Sequence, residues 1–84
     1  MRHRASASFW KAYDALPAET RKAADAGFAT MKADPHHPAL RLKRVGRFWS
    51  ARIGLRYRAL AVDAEDGLLW FWIGDHADYD RLIR

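Results

Sequence analysis

His76 is the side chain in this 84-residue chain best placed to move a proton. It follows an apolar run, Leu68 to Ile73, stands where a new helix would begin, and is close in sequence to Tyr79 and Asp80. A helix N-terminus and nearby arginines favour the neutral imidazole, the form that accepts a proton. The plainer alternative is a structural histidine at a helix start. Arg52 and Arg58 supply the complementary chemistry, since a guanidinium grips phosphate through paired hydrogen bonds and stabilises the extra charge of a transition state. RNA carries its own nucleophile, the 2′-hydroxyl, so strand cleavage needs only a base, charge stabilisation and alignment, with no metal and no cofactor. Tyr79 would either stack on a base or pack beneath the last helix. Trp49, Trp70 and Trp72 read first as core, with at least one available as a stacking surface.

The other histidines carry less. His36 and His37 flank prolines in a loop, where they are either solvated or touch substrate; His3 lies at a terminus expected to fray. Two adjacent histidines cannot easily share one ion, and the chain has no Cys, so no metal site is expected.

Charge is segregated along the chain. Residues 1–34 carry six Lys/Arg against four Asp/Glu, residues 35–62 carry seven against none, and residues 63–84 carry two against six. The central block (Arg41, Lys43, Arg44, Arg47, Arg52, Arg56, Arg58) creates a field that attracts phosphate or an acidic partner. Arg41, Lys43, Arg44, Arg47 and Arg56, outside the reacting pair, are candidates for anchoring a nucleic-acid backbone.

These side chains need a scaffold, and 84 residues allow one domain spanning the chain. Half the residues are hydrophobic, with four Trp, four Phe and three Tyr, enough to fill a core. The longest apolar run is too short to cross a bilayer, and the basic first residues are not followed by a signal-peptide core; the expectation is a soluble cytoplasmic protein with no membrane partner. Ser8 is the expected N-cap of a first helix, in which Phe9, Ala12, Tyr13 and Leu16 follow helical spacing. Pro17 opens a second helix that places Ala24, Phe28 and Met31 on one face and ends before Asp34-Pro35.

From Leu40 the apolar period becomes two. Leu40 and Leu42 alternate with Arg41 and Lys43; Trp49, Ala51 and Ile53 alternate with Ser50 and Arg52; Tyr57, Ala59 and Ala61 alternate with Arg58, Leu60 and Val62. Turns are marked by Gly46, Gly54 and Asp66-Gly67. Leu68 to Ile73 reads as a central strand buried on both faces, and Asp75 caps a short last helix, His76 to about Ile83. The expected fold is α+β: a helical hairpin on a four-stranded twisted antiparallel sheet, with residues 2–6 as a possible edge strand and a short C-terminal helix. The alternation leaves Arg52, Arg58 and their neighbours on the face away from the hairpin.

Three segments carry a resemblance: Asp34 to Val45 (DPHHPALRLKRV), Phe48 to Leu60 (FWSARIGLRYRAL) and Trp72 to Asp80 (WIGDHADYD). With the helical hairpin before them, they are similar to the RelE/ParE superfamily of type II toxin–antitoxin modules, nearest its ParE-like toxins. The resemblance implies a small toxin neutralised by an acidic antitoxin. RelE-type members enter the ribosome and cut mRNA through the 2′-hydroxyl, whereas ParE-type members poison DNA gyrase without cutting RNA. Under the first implication, His76, within Gly74-Asp75-His76, matches the catalytic His of the YafQ-like branch. Arg58 matches the phosphate-stabilising Arg, Arg52 matches an inner-strand cation, and His37 matches an upstream His. Ser50 stands where RelE itself has Lys, and the YafQ-like branch's second-strand His and following Asp have no clear counterparts.

Overall fold

The computed structural model describes residues 2–83. The first element is a short strand, β1 (Arg2–Ala5), followed by α1 (Ala7–Asp14) and α2 (Ala18–Ala33). A single 3-10 turn, Pro38–Leu40, leads into β2 (Lys43–Val45), β3 (Phe48–Ile53), β4 (Tyr57–Ala64) and β5 (Gly67–Asp75), and α3 (His76–Ile83) closes the chain. The strands form one five-stranded sheet in the order β1-β5-β4-β3-β2. Strands β2 to β5 are an antiparallel meander, and β1 pairs in parallel with β5, Arg2 opposite Gly67 and Ala5 opposite Trp70. The N-terminal edge strand therefore exists, and it makes the sheet mixed rather than purely antiparallel.

The helical hairpin covers one face of the sheet. Phe9 of α1, Leu16 of the turn that follows it (the helix ends at Asp14, before the position expected to continue it), and Ala24 and Met31 of α2 are buried with Ala51, Ile53, Ala59, Ala61, Leu68, Trp70 and Ile73 in one apolar cluster. Apart from Leu16, these are inward positions of the helices and alternate positions of the strands, except for the step from Trp70 to Ile73 on β5. Phe28 packs edge-to-face on both Phe9 and Trp70, with ring centroids 5.3 and 5.7 Å apart. Truncating buried Phe9 or Trp70 to Ala costs about 3–5 kcal/mol, a large share of a small domain's stability.

Three local expectations need correcting. The N-cap of α1 is Ser6, whose side chain accepts the Phe9 N–H; Ser8 sits in the first turn and donates to the Phe71 carbonyl at 2.8 Å. No strand begins at Leu40. Pro38 opens the 3-10 turn, the His37 Nδ1 accepts the Ala39 N–H at 3.1 Å, and Arg41 ends the turn at φ 45°, so β2 starts only at Lys43. His3 is not frayed. It is held in β1 across from Leu68, and its Nδ1 accepts the Trp70 indole N–H at 3.2 Å.

Strand β5 also departs from expectation. It lies inside the sheet, but only Leu68, Trp70 and Ile73 are buried; Leu69, Phe71 and Trp72 are half-exposed on the side away from the helices. The chain of apolar residues therefore serves a buried face and a partly open one.

Candidate nucleic-acid interface

Pairing register determines which side chains share the face that the α1–α2 hairpin leaves uncovered. Arg52 of β3 lies directly opposite Arg58 of β4, and Arg58 lies opposite Gly74 of β5. Because cross-strand partners project to the same side, the two guanidinium side chains rise from one rung of the sheet. The next rung on that face is Lys43, Ser50, Leu60 and Trp72. Ser50 and Leu60 are buried although neither belongs to the helix-side cluster.

Both arginines are tethered but unspent. The Arg52 Nε donates to the Gly54 carbonyl at 3.0 Å, and an Arg58 Nη donates to the Tyr57 carbonyl at 2.9 Å. Each guanidinium has five N–H donors, and among the described residues neither forms an ion pair. Both are half-buried, so their aliphatic stems lie on the sheet while their heads reach solvent.

Gly74 completes that rung for a steric reason. A Cβ there would lie 2.3 Å from the Trp72 ring, so the indole lies across the glycine, beside the position opposite Arg58. Any side chain there would force the indole to move.

His76 stands at the same end of the sheet. Its backbone N–H donates to the Arg56 carbonyl at 2.8 Å, two residues from Arg58 on β4. Asp75 accepts the Asp78 N–H at 2.8 Å and so caps α3. The exposed His76 ring has its Nδ1 3.2 Å from an Asp80 carboxylate oxygen one turn along the helix, an arrangement that sets the tautomer of the neutral ring with its hydrogen on Nδ1. The Arg52–Arg58 rung and the start of α3, with His76, thus lie at the same end of the sheet, with Arg56, exposed and between the two arginines in sequence, hydrogen-bonded to His76.

Other expected site residues lie elsewhere. Tyr79 is buried, its ring edge-on to His76 at 6.1 Å, which is the packing alternative rather than the stacking one. Trp49 alternates with Ser50 and Arg52 and so faces the helix side, where it packs against the core. Its indole N–H donates to Asp63 at 2.9 Å, the Arg44 guanidinium lies 5.4 Å from its ring, and Arg44 pairs with the same carboxylate at 2.7 Å. The Trp49 and Arg44 hydrogen bonds hold the Asp63 carboxyl below the usual range. Arg44 is therefore partly neutralised, while Lys43 and Arg47 are exposed and free of ion pairs among the described residues. Arg41 and His37 are exposed on the loop before β2, and the His37 Nδ1 is occupied by the Ala39 N–H.

Sequence reasoning missed Phe48 and Phe71. Their rings meet on the uncovered face with centroids 5.6 Å apart, and the Arg47 guanidinium lies 5.3 Å from the Phe48 ring. No helix of the described residues is long and apolar enough to cross a membrane.

Comparison with known proteins agrees with this architecture. The fold is similar to that of the RelB–RelE antitoxin–toxin complex from Methanococcus jannaschii, with TM-score 0.74 at 13% identity over 96% of this chain and 99% of that one. It is also similar to the YoeB/ParE toxin from Agrobacterium tumefaciens, with TM-score 0.67 at 17% identity over 90% and 99% of the two chains. A copper-bound mutant toxin from Helicobacter pylori matches with TM-score 0.59 at 17% identity, over 93% and 97%. No curated protein matches the sequence. At these identities the likeness establishes the fold; the family rests on residues 18–81, which match the ParE-like toxin domain. The chain belongs to the ParE-like toxin domain family.

Proposed function

We propose that this protein is the toxin of a type II toxin–antitoxin module and acts as a metal-independent, ribosome-dependent mRNA endonuclease. The observation that carries the reading is the Arg52–Arg58 rung on the uncovered face, with His76 at the same end of the sheet. In the proposed reaction the His76 Nε2 takes the proton of a 2′-hydroxyl. The 2′ oxygen bonds to the adjacent phosphorus and the bond to O5′ breaks. The 5′ fragment keeps a 2′,3′-cyclic phosphate, and the departing O5′ takes its proton from solvent. Arg52 and Arg58 hold the non-bridging oxygens as charge builds on them. Lys43 and Arg47 anchor the nucleic-acid backbone, with Arg41, Arg44 and Arg56 contributing from the margins.

The partner that restrains it is an acidic antitoxin. The acid-free segment 35–62 supports this, as does the likeness to a toxin whose structure is an antitoxin complex. A second reading, inhibition of DNA gyrase without RNA cleavage, is favoured by the ParE-like family match. The two separate in a reconstituted assay. Ribosomes programmed with a defined message and given the purified chain should release a 5′ fragment ending in a cyclic phosphate. Intact message together with inhibited DNA supercoiling by gyrase would favour the second reading.

A further inference from the structure

Strand β5 contains a bulge that changes what the uncovered face presents. Leu60 pairs with Trp72, yet the next residue, Ala61, pairs with Trp70, so Phe71 is an extra residue without a cross-strand partner. Trp70 and Ile73 are both buried in the helix-side core, and strict alternation would send one of the two residues between them inward as well. The bulge absorbs that step, and Phe71 and Trp72 are both half-exposed. Bulges of this kind re-aim side chains next to functional sites.

The re-aimed Phe71 meets Phe48, with centroids 5.6 Å apart and rings inclined at 49°. Arg47 lies over Phe48 on the same patch. Phe48 and Arg52 are four residues apart on β3, which places the aromatic pair roughly 13 Å along the strand from the guanidinium rung. The residues of β2 to β5 on this face include no Asp or Glu: Lys43, Val45, Phe48, Ser50 and Arg52 on two strands and Arg58, Leu60 and Val62 on the third, beside Leu69, Phe71 and Trp72. Arg4 of β1, opposite Leu69, lies at the edge and pairs with Asp66 of the turn before β5. A half-exposed aromatic surface whose β2–β5 strands carry no acid, with arginine at both ends, matches an unpaired nucleobase whose backbone continues to the phosphate site.

We infer that Phe48 and Phe71 form a base-stacking platform for single-stranded RNA, positioned by the β5 bulge to hold the nucleotide next to the one cleaved. The inference rests on the RNA-cleaving reading above but is tested by binding alone. The probe is a 2′-O-methyl hexaribonucleotide, which cannot be cleaved, carrying a central 2-aminopurine whose fluorescence is quenched on stacking. It is titrated with the complete chain at low salt. The wild type should bind and quench. Phe71→Leu and Phe48→Leu keep the apolar bulk and the fold, and each should weaken binding about 5- to 150-fold, the range for losing one stacked base. Phe71→Tyr should bind within about twofold of wild type, because stacking is sequence-tolerant and needs only the ring. A wild type that neither binds nor quenches would overturn the platform. So would leucine variants that bind and quench like wild type, which would make the pair a protein-docking or packing surface. Cleavage assays with Arg58→Ala judge the nuclease reading separately, so the two can fail independently.

Discussion

Arg52 faces Arg58 directly across the β3–β4 ladder, and no acidic side chain among the described residues pairs with either. Like charges opposite one another destabilise an antiparallel pair, so this rung works against folding. Under the proposed function its missing counter-charge is the scissile phosphate. Arg58→Ala should therefore leave stability unchanged or raise it by up to about 1 kcal/mol, while cleavage falls about 100- to 1,000-fold. Thermal unfolding and cleavage measured on one preparation check both halves. A loss of activity accompanied by unfolding would mean that Arg58 is structural.

The β1 edge depends on Gly67. A Cβ at that position would lie 1.9 Å from the Arg2 carbonyl oxygen, inside the β1 backbone. Gly67→Ala should push β1 off β5 and cost about 1–3 kcal/mol, the usual scale for overpacking. The Trp70 indole N–H, now bonded to His3, should then lose its protection in hydrogen exchange while the β3–β4 amides keep theirs.

Acid should open the same edge through His3. Burial, reinforced by Lys32, holds its imidazole below the ordinary histidine value of 6.5. The unfolded chain thus binds a proton at a higher pH than the folded one, and stability rises with pH across that interval. The contribution is complete above about pH 6.5 and is lost as pH falls toward the folded value. A protonated Nδ1 also becomes a donor aimed at the Trp70 N–H. His3→Phe should flatten this part of the stability–pH curve in denaturant titrations between about pH 5 and 7.

The helix entrance distinguishes two neighbouring serines. Ser6 accepts the Phe9 N–H, whereas Ser8 bonds to Ser6 and to the Phe71 carbonyl. Ser6→Ala should cost about 1 kcal/mol, typical of a lost N-cap. Ser8→Ala, at an exposed position within the helix, should cost less, as denaturant melts of the two variants would show.

The periodicity of the chain makes most of this fold legible. Alternation from Trp49 to Ile53 and from Tyr57 to Ala61 identifies the buried faces, and with them the shared face of Arg52 and Arg58. Asp75 as a cap and His76 as the first residue of α3 are readable because a polar cap after an apolar strand is a local signal. What is not legible depends on contacts distant in sequence. Ser6 and Ser8 are equivalent as caps until Phe71 is brought alongside. Trp49 is available for stacking until Asp63, fourteen residues later, claims its indole N–H. The Phe48–Phe71 pair is hidden by the bulge, although the unbroken run Trp70-Phe71-Trp72 holds a trace of it. Three consecutive aromatics exceed what strict alternation would place on a single buried face.

The most direct test of the nuclease account is to induce wild type and His76→Ala in cells, mapping transcript 5′ ends and assaying DNA breaks together. The account predicts new 5′ ends within translated regions for the wild type and their loss in the His76→Ala variant, which should accumulate as a folded protein. Gyrase-linked DNA breaks without new RNA ends, or unchanged cleavage in the variant, would contradict it.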